Sequence, residues 1–455
     1  MSENIRTADE APRSADFAYD RDSAGPPVPQ RSRRAAIAGG VGTLIEGYDF
    51  SSYGYLAVYL APLFFPSSDP VVSLLLALVV FATSYVARPL GGLVFGLMGD
   101  RGLDRARVLL VTIICMGVAS SLIGLLPTYQ SIGVTASIML IALRLLQGFS
   151  VGGEVAGAAT FVSEAAENRF KSRFGAFNPA GATLGFALAA GVSGLVSALT
   201  TDEQMATWGW RIPFLVSLPL TVACFLVRRR ITSQAAPDGG EGRSDATSTL
   251  RRTIAEGWRQ ILAVAGLSAA MNGTAYFGLT YVSIHLIKQL GYPTTAVYWV
   301  TTAVVALAAA LMIPVGRLGD RTDLPVLGAI GLLGYLVLTL PAMWLMGHAN
   351  LALAAVAFCA IMVNTSFLQV AGYSLPPELF PRSIRFTGMS LGYNIGVVVA
   401  GGTAPAICVW LVSATGSSLT PAYFVMGMAI IGLVTVFAIS RGPRPGREQA
   451  APTGN

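Results

Sequence analysis

The sequence predicts an all-α polytopic membrane protein with twelve transmembrane helices, and three observations support this fold class. Of the 455 residues, 53% are hydrophobic and only 12% are charged, whereas about 25% of a typical soluble domain is charged. The apolar residues occur in blocks of about 20 or more, the length that a helix needs to cross a bilayer. These blocks lack the alternation of a membrane barrel, and backbone groups in lipid must be satisfied internally, so helices are expected.

The polar segments between the apolar blocks set the predicted spans and domains. The longest internal polar segment, rich in Gly, Ser, Asp and Arg, follows the sixth block and divides the chain into two six-helix halves. The predicted spans are 35–62, 71–98, 107–126, 135–163, 171–199, 209–228, 259–287, 294–316, 325–346, 350–375, 385–413 and 421–440. The predicted domains are a disordered tail at 1–34, an N-terminal half at 35–230, a linker at 231–255, a C-terminal half at 256–440 and a short tail at 441–455.

Basic residues lie mainly on one side of the predicted membrane. With twelve spans, the two tails and five alternate loops hold all but four of the 30 Lys and Arg residues. Arg211 and Lys288 lie toward the other side, and Arg88 and Arg144 lie within spans. The positive-inside rule therefore predicts a multi-pass protein of the cell membrane with both termini in the cytoplasm.

The first span carries two carboxylates near its middle, Glu46 and Asp49. A charge at this depth costs at least ~2.5–3.5 kcal/mol on insertion scales, so both must face protein or water. Three residues apart on a helix they share one face, which Phe50 and Tyr53 continue. Two adjacent acids repel each other, which favours proton binding by one of them. The alternative is that arginines neutralise both acids for packing alone.

Two loops share the pattern GxxGDR. Gly96–Arg101 closes the second span and Gly316–Arg321 closes the eighth, 220 residues later. Their equivalent positions indicate two halves related as parallel repeats, which is a transporter architecture.

These motifs give the sequence a family resemblance. It is similar to the major facilitator superfamily through both GxxGDR loops and Arg144–Gly148, and it resembles most the metabolite–proton symporter branch. The stretches that match this branch are Glu46–Phe50, Arg88–Gly92, Arg144–Glu154, Trp208–Phe214 and Glu378–Gly388. The branch includes bacterial carriers of proline and betaine, α-ketoglutarate, citrate and shikimate. One departure is Gly47, where the family usually has Trp.

The resemblance implies roles for charged residues at two depths. In the interior, Arg144 belongs to a motif linked with proton coupling, and we expect Glu46, Asp49 and Glu154 to act with it. At the cytoplasmic ends, the resemblance implies a gate that locks one conformation. The expected gate residues are Asp100, Arg101, Asp320 and Arg321, together with Glu164 and Glu378.

The interior arginine of the second span and a set of polar and aromatic side chains are the candidates for solute binding. Arg88 can grip a carboxylate through two parallel hydrogen bonds, whether from Glu46, Asp49 or a solute. Buried amides need hydrogen-bond partners, which a solute or a neighbouring helix can supply. The other candidates are Phe50, Tyr53, Tyr85, Gln147, Asn272, Tyr276, Asn364, Gln369 and Tyr393.

The sequence therefore predicts a proton-coupled symporter for a small organic acid or zwitterion, working by alternating access. We expect protonation of the first-span acids to free Arg88 or Arg144 for the solute carboxylate. The expected partners are the solute, protons and the lipid bilayer, with no nucleic acid and no cofactor or metal, and a monomer is sufficient. Proton-antiport efflux of a drug or secondary metabolite and a non-transporting receptor are the alternatives, and we expect no enzyme activity.

Overall fold

The structure, a computed structural model, describes residues 28–100, 105–152, 170–232, 246–381 and 384–442, and these are almost entirely helical. Within these described ranges, twelve long helices, α1 to α12, follow the order of the predicted spans. The first six are α1 Val28–Phe64, α2 Pro70–Asp100, α3 Arg105–Leu125, α4 Val134–Val151, α5 Phe177–Leu199 and α6 Arg211–Thr232. The next are α7, which comprises Ala246–Tyr276, the π-helical turn Phe277–Tyr281 and Val282–Lys288, then α8 Thr294–Gly319, α9 Leu324–Met346 and α10 Leu351–Ser374. The last are α11, which comprises Arg385–Gly396, the π-helical turn Val397–Gly401 and Ala404–Thr415, and α12 Thr420–Arg441.

Several helices begin or end outside the predicted boundaries. Helix α1 begins at Val28, so the expected tail loses its last seven residues to a helix. Helix α7 begins at Ala246, so the second part of the expected linker is helical as well. These segments are polar, and hydropathy does not reveal them because only the apolar part of each helix marks its position in the sequence. Helix α4 is described to Val151, and the rest of the predicted fourth span lies outside the described residues.

The two halves repeat one packing pattern. Helix pairs α1–α5, α2–α4 and α3–α6 pack in the first half, and α7–α11, α8–α10 and α9–α12 pack in the second. The main pairs that join the halves, α2–α11 and α5–α8, are also related by a shift of six helices. The molecule therefore has two six-helix halves with the same internal arrangement, as the repeated GxxGDR loops predict.

Close helix contacts depend on glycine. A Cβ atom on Gly148 of α4 would lie 1.7 Å from the carbonyl oxygen of Ser84 on α2. A Cβ atom on Gly47 of α1 would lie 2.1 Å from the carbonyl oxygen of Ala182 on α5. The small residue at position 47 thus lets α1 and α5 touch through their backbones, and a tryptophan there would separate them.

The outer surface has the character of a lipid-facing surface. Nine helices of the described part are long and apolar enough to cross a membrane, and a tenth arises if the bent pair Asp202–Gly209 and Arg211–Val227 is one span. Helix α1 is not among them, because its Ser, Gly, Tyr and acidic residues lower its mean hydropathy. Its residues 45–58 are buried inside the bundle. Four exposed tryptophans lie toward the ends of helices on the face where α1 ends, as at a bilayer interface: Trp208, Trp299, Trp344 and Trp410.

We expect the substitution Gly148→Ala to lower the midpoint of thermal unfolding in detergent, because the added methyl group must push α4 away from α2. Overpacking of this kind costs about 1–3 kcal/mol. The matched control is Gly427→Ala on α12, where no atom lies within 4 Å of the added Cβ. That variant should unfold at the wild-type temperature or slightly above it, because alanine favours a helix. Equal midpoints for both variants would contradict the packing described here.

Candidate functional site

A central cavity lies between the two halves. The space outside protein atoms between its lining residues, including space open to solvent, is about 510 Å³. Helices α1, α2 and α5 of the first half and α7, α10 and α11 of the second half form its wall. The lining residues are Glu46, Gly47, Phe50, Arg88, Pro179, Ala182, Thr183, Phe186, Asn272, Ala275, Tyr276, Leu279, Gln369, Tyr373 and Tyr393.

An ion pair forms part of the cavity wall. Glu46 Oε1 lies 2.9 Å from Arg88 Nη2, and both side chains are buried. The guanidinium carbon of Arg88 also lies 4.5 Å from the ring centres of both Phe50 and Tyr85. Nε of Arg88 is buried without a hydrogen-bond partner. One cation and one anion are therefore held side by side at the cavity, and the arginine retains a free donor.

The second carboxylate of α1 has different neighbours. Asp49 accepts a short hydrogen bond on Oδ1 from the hydroxyl group of Ser217 on α6. Its Oδ2 atom is buried without a hydrogen-bond partner, although Arg144 interacts with the carboxylate electrostatically. The two acids therefore have separate partners, and the expectation that one of them binds a proton stays a prediction. Residues three apart on a helix point about 60° apart around its axis, and here that angle directs each acid to different helices.

Arg144 is fully buried on α4, next to Asp49 but away from the cavity wall. Its Nη1 donates to Gln147 Oε1 at 2.9 Å, and its Nη2 donates to the carbonyl oxygen of Phe81 at 3.3 Å. Gln147 in turn donates to the hydroxyl group of Ser120 on α3 at 2.6 Å. Hydrogen bonds and the electrostatic contact between Asp49 and Arg144 thus connect a polar cluster behind the cavity, formed by Asp49, Ser217, Arg144, Gln147 and Ser120. We call it the inner polar cluster.

The predicted solute-binding residues fall into two groups. Those in the cavity wall are Arg88, Phe50, Asn272, Tyr276, Gln369 and Tyr393. The remaining four do not line it, which corrects the expectation. Tyr53 donates to the carbonyl oxygen of Ala77, Tyr85 packs behind Arg88 and Tyr276, and Gln147 belongs to the inner polar cluster. Asn364 donates to the carbonyl oxygen of Ala360 and packs against Gly334 of α9.

Sequence reasoning missed several residues of the cavity wall. Tyr373 of α10 lines the cavity, and its hydroxyl group lies 3.3 Å from that of Tyr393 on α11. Thr183 and Phe186 of α5 line it from the other half. Tyr373 lies four residues after the predicted residue Gln369 and therefore on the same face of α10, so helical periodicity indicates it as a further lining residue. Thr183 and Phe186 occur in an ordinary apolar helix, and nothing in their local sequence distinguishes them.

The two halves contact each other on both faces of the molecule. On the face where α1 begins and α12 ends, which we call the terminal face, Asp320 Oδ2 lies 3.1 Å from Arg173 Nε. The backbone amide of Arg173 donates to the same carboxylate at 3.0 Å. On the other face, the hydroxyl groups of Ser197 and Thr295 are 2.7 Å apart. Tyr298 also donates to the carbonyl oxygen of Tyr55 at 2.8 Å.

Of the other predicted gate residues, the structure describes the side chains of Arg321 and Glu378. Arg321 is exposed beside Asp320, and Glu378 is half-buried in the turn after α10. Asp100 ends α2, but its side chain is outside the described part. Arg101, Glu154 and Glu164 also lie outside the described residues, so their expected roles remain predictions.

Comparison with known proteins identifies the family. A model described as "Sugar (and other) transporter" matches residues 35–231 and 237–441. The chain belongs to this family. The ectoine/proline transporter ProP of Corynebacterium glutamicum is 36% identical over 435 residues, which cover 92% of this chain and 86% of that protein. The proline/betaine transporter of Escherichia coli K12 is 34% identical over 415 residues, which cover 89% and 82%.

Solved structures agree with this assignment. The proton:xylose symporter XylE, bound to 6-bromo-6-deoxy-D-glucose, superposes with a TM-score of 0.70 at 15% identity, covering 93% of this chain and 99% of XylE. A partially occluded, inward-open form of XylE from E. coli gives 0.67 at 17% identity, covering 91% and 98%. This likeness shows the fold of the major facilitator superfamily. The resemblance inferred from the motifs is thus confirmed, and the protein is a multi-pass membrane transporter rather than an enzyme.

We expect the stability effects of Glu46→Gln and Arg88→Gln to be strongly non-additive, because either change alone leaves a buried charged group unpaired. Breaking a buried pair costs about 3–5 kcal/mol, whereas the double variant leaves two neutral amides. Thermal unfolding in detergent measures the three midpoints, and the double variant should unfold above both single variants. The control is the same set of two single variants and one double variant at the exposed pair Arg252–Glu256, whose Nε and Oε1 atoms are 3.0 Å apart. Its coupling should be about 1 kcal/mol or less, and an equally small coupling at Glu46–Arg88 would contradict the ion pair.

We expect Asp320→Asn to open the terminal face more often, because it removes the charge that holds Arg173. The measurement is the alkylation rate of a cysteine introduced by Thr183→Cys in the cavity wall, relative to the parent without that cysteine. The rate should rise several-fold, in line with a coupling of about 1–2 kcal/mol. Glu256→Gln removes an exposed ion pair and should leave the rate unchanged. An unchanged rate in Asp320→Asn as well would contradict the gate.

Proposed function

We propose that this transporter carries a small zwitterionic solute, such as a betaine or an imino acid, into the cell together with protons. The Glu46–Arg88 ion pair in the cavity wall is the observation that carries this proposal. The pair offers one fixed charge of each sign, a few ångströms apart. A zwitterion carries the same two charges at a similar separation.

Binding exchanges one ion pair for two. The solute carboxylate pairs with the guanidinium of Arg88, which has an unused Nε donor. The solute ammonium pairs with the carboxylate of Glu46. No net charge enters or leaves the cavity, so no buried charge is left unpaired. An unpaired charge would be costly in a membrane interior. A dicarboxylate or tricarboxylate would add excess negative charge beside Glu46, which makes an organic acid the weaker candidate.

Aromatic side chains suit the cationic end of such a solute. Phe50, Phe186, Tyr276, Tyr373 and Tyr393 line the same cavity. A quaternary ammonium group has no N–H to donate and is attracted to the faces of aromatic rings. This lining supports a methylated or ring-substituted ammonium in preference to a sugar, which needs many hydrogen-bond partners.

Asp49 is the proposed proton site. Its Oδ2 atom is buried without a partner, and a proton on this oxygen would satisfy it. The neighbouring Arg144 can stabilise the carboxylate after the proton leaves. In the proposed cycle, a proton binds Asp49 and a solute binds Glu46 and Arg88, the two halves rock about the cavity, and both are released in the cytoplasm. The basic residues of the terminal side support this orientation.

The relatives support the same substrate class. The names of the curated relatives describe transport of proline, betaine and ectoine, which are zwitterions with one carboxylate and one cationic centre. A relative from Dickeya dadantii, 34% identical over 417 residues, is named a glycine betaine/proline/ectoine/pipecolic acid transporter. The alternative of drug efflux by proton antiport gains no support from them.

The test is uptake by the purified protein in proteoliposomes under an imposed inward proton gradient. The panel contains glycine betaine, proline and ectoine, with α-ketoglutarate, citrate and xylose as comparisons. We expect accumulation of at least one zwitterion, abolished when a protonophore collapses the gradient. Accumulation of only a polyanion or a sugar would overturn the substrate class. Outward movement driven by the gradient would overturn symport.

We expect Asp49→Asn to abolish proton-driven accumulation of the zwitterion while counterflow exchange continues, because the amide cannot bind and release a proton. Uptake with and without the gradient, and exchange of labelled for unlabelled solute, measure the two activities separately. Glu203→Gln, at an exposed acid outside the cavity, is the matched control and should accumulate solute as the wild type does. Uphill uptake by Asp49→Asn would remove this residue from the proton site.

A further inference from the structure

One aromatic ring contacts both buried arginines. The guanidinium carbon of Arg88 lies 4.5 Å from the ring centre of Phe50, and that of Arg144 lies 5.1 Å from the same centre. Phe50 is 1% exposed, so its ring is confined by protein. In the described cation–ring contacts, the other rings beside these arginines touch only one of them: Tyr85 contacts Arg88, whereas Tyr53 and Phe81 contact Arg144.

Phe50 therefore lies between two sites with different proposed roles. Arg88 belongs to the solute site through Glu46, and Arg144 belongs to the inner polar cluster beside Asp49. On α1, Phe50 is one residue after Asp49 and one helical turn after Glu46. No residue of the cavity wall other than Phe50 contacts Arg144 among the described ion pairs, hydrogen bonds and ring contacts.

We propose that Phe50 is a positioning residue that couples solute binding at Arg88 to proton binding near Arg144. This inference rests on the proposed function. Two buried cations near one ring compete for its negative faces, since a cation within about 6 Å of a ring centre is attracted to it. Arg88 is already paired with Glu46, but a solute carboxylate that accepts from its unused Nε atom would draw the guanidinium toward the solute and weaken its contact with the ring. When a proton neutralises Asp49, Arg144 loses its anionic partner, and its cation–π contact with the Phe50 ring becomes stronger.

The two events therefore favour the same position of the ring, the one closer to Arg144. Solute and proton binding each lower the free energy cost of the other through this shared contact, and such coupling is reciprocal by necessity. A ring that only shaped the cavity would affect solute affinity alone. The ratio of protons to solute distinguishes these two roles.

The test is the substitution Phe50→Leu, which keeps an apolar side chain but removes the ring face. We expect the proton-driven accumulation ratio of the transported zwitterion to fall by about fivefold or more, the lower range of coupling between sites. Proton entry per solute, followed with a pH-sensitive dye in the same proteoliposomes, should fall as well. Counterflow exchange should continue with a changed KM, because Phe50 lines the solute cavity but the Glu46–Arg88 pair is intact. Phe50→Tyr, which restores a ring, should recover most of the accumulation.

Phe186→Leu is the matched control. Phe186 also lines the cavity, but its described ring contacts are with Tyr55 and Tyr276 rather than with an arginine. It should change the KM of uptake and leave the proton-to-solute ratio as in the wild type. If Phe50→Leu is not recovered folded, Phe50→Met replaces it, since methionine has a similar volume and no ring.

A wild-type proton-to-solute ratio in Phe50→Leu or Phe50→Met would overturn the proposal. Equal loss of coupling in Phe186→Leu would also overturn it, since any cavity ring would then suffice. Failure of the wild-type protein to accumulate zwitterions under a proton gradient would instead overturn the proposed function, and the two failures are therefore distinguishable.

Discussion

Burial of two arginines constrains the structure of the N-terminal half. Arg88 and Arg144 lie within membrane-spanning helices, and each is at most 3% exposed. A guanidinium does not lose its proton in a protein interior, so its charge must be balanced where it stands. Arg88 is balanced by a carboxylate of α1 and two aromatic rings. Arg144 is balanced by the nearby carboxylate of Asp49, together with an amide, a backbone carbonyl and three rings.

This requirement explains the composition of α1. Most transmembrane helices here are apolar on the side that faces lipid, but residues 45–58 of α1 are buried on all sides. The helix therefore carries acids, hydroxyl groups and tyrosines that would be costly in lipid, and it supplies the partners of helices α2, α4 and α6. Its glycines allow this close packing, as at Gly47, where backbone meets backbone. A helix rich in polar residues is thus the centre of its half.

The two halves have unequal roles within one packing pattern. The first half brings the ion pair and the inner polar cluster, and the second half brings amides and tyrosines to the same cavity. The helix pairs between the halves, α2–α11 and α5–α8, are related by the same shift that relates the halves themselves. A rocking motion about such an interface can open either face while the helices within each half keep their contacts, as alternating access requires. The ion pair Arg173–Asp320 lies where this motion would separate the halves at the terminal face.

The sequence by itself determined the fold class, the twelve helices, the repeat and the family, because block length, loop composition and short motifs are local properties of the chain. It also determined that Glu46, Asp49, Arg88 and Arg144 need protected surroundings, because the cost of a charge in a membrane does not depend on the details of packing. Polar helical extensions such as 246–255 escaped prediction, because hydropathy detects only the apolar part of a helix.

Only the tertiary structure decided which partner each charge takes. Glu46 and Asp49 have the same spacing as many paired acids, yet the small angle between them around α1 directs one to α2 and the cavity and the other to α6. It also placed Tyr53, Tyr85, Gln147 and Asn364 behind the cavity wall and brought Tyr373, Thr183 and Phe186 into it. The physical reason is that the cavity wall depends on how six helices are oriented about their axes relative to one another. No single segment of the sequence determines that orientation.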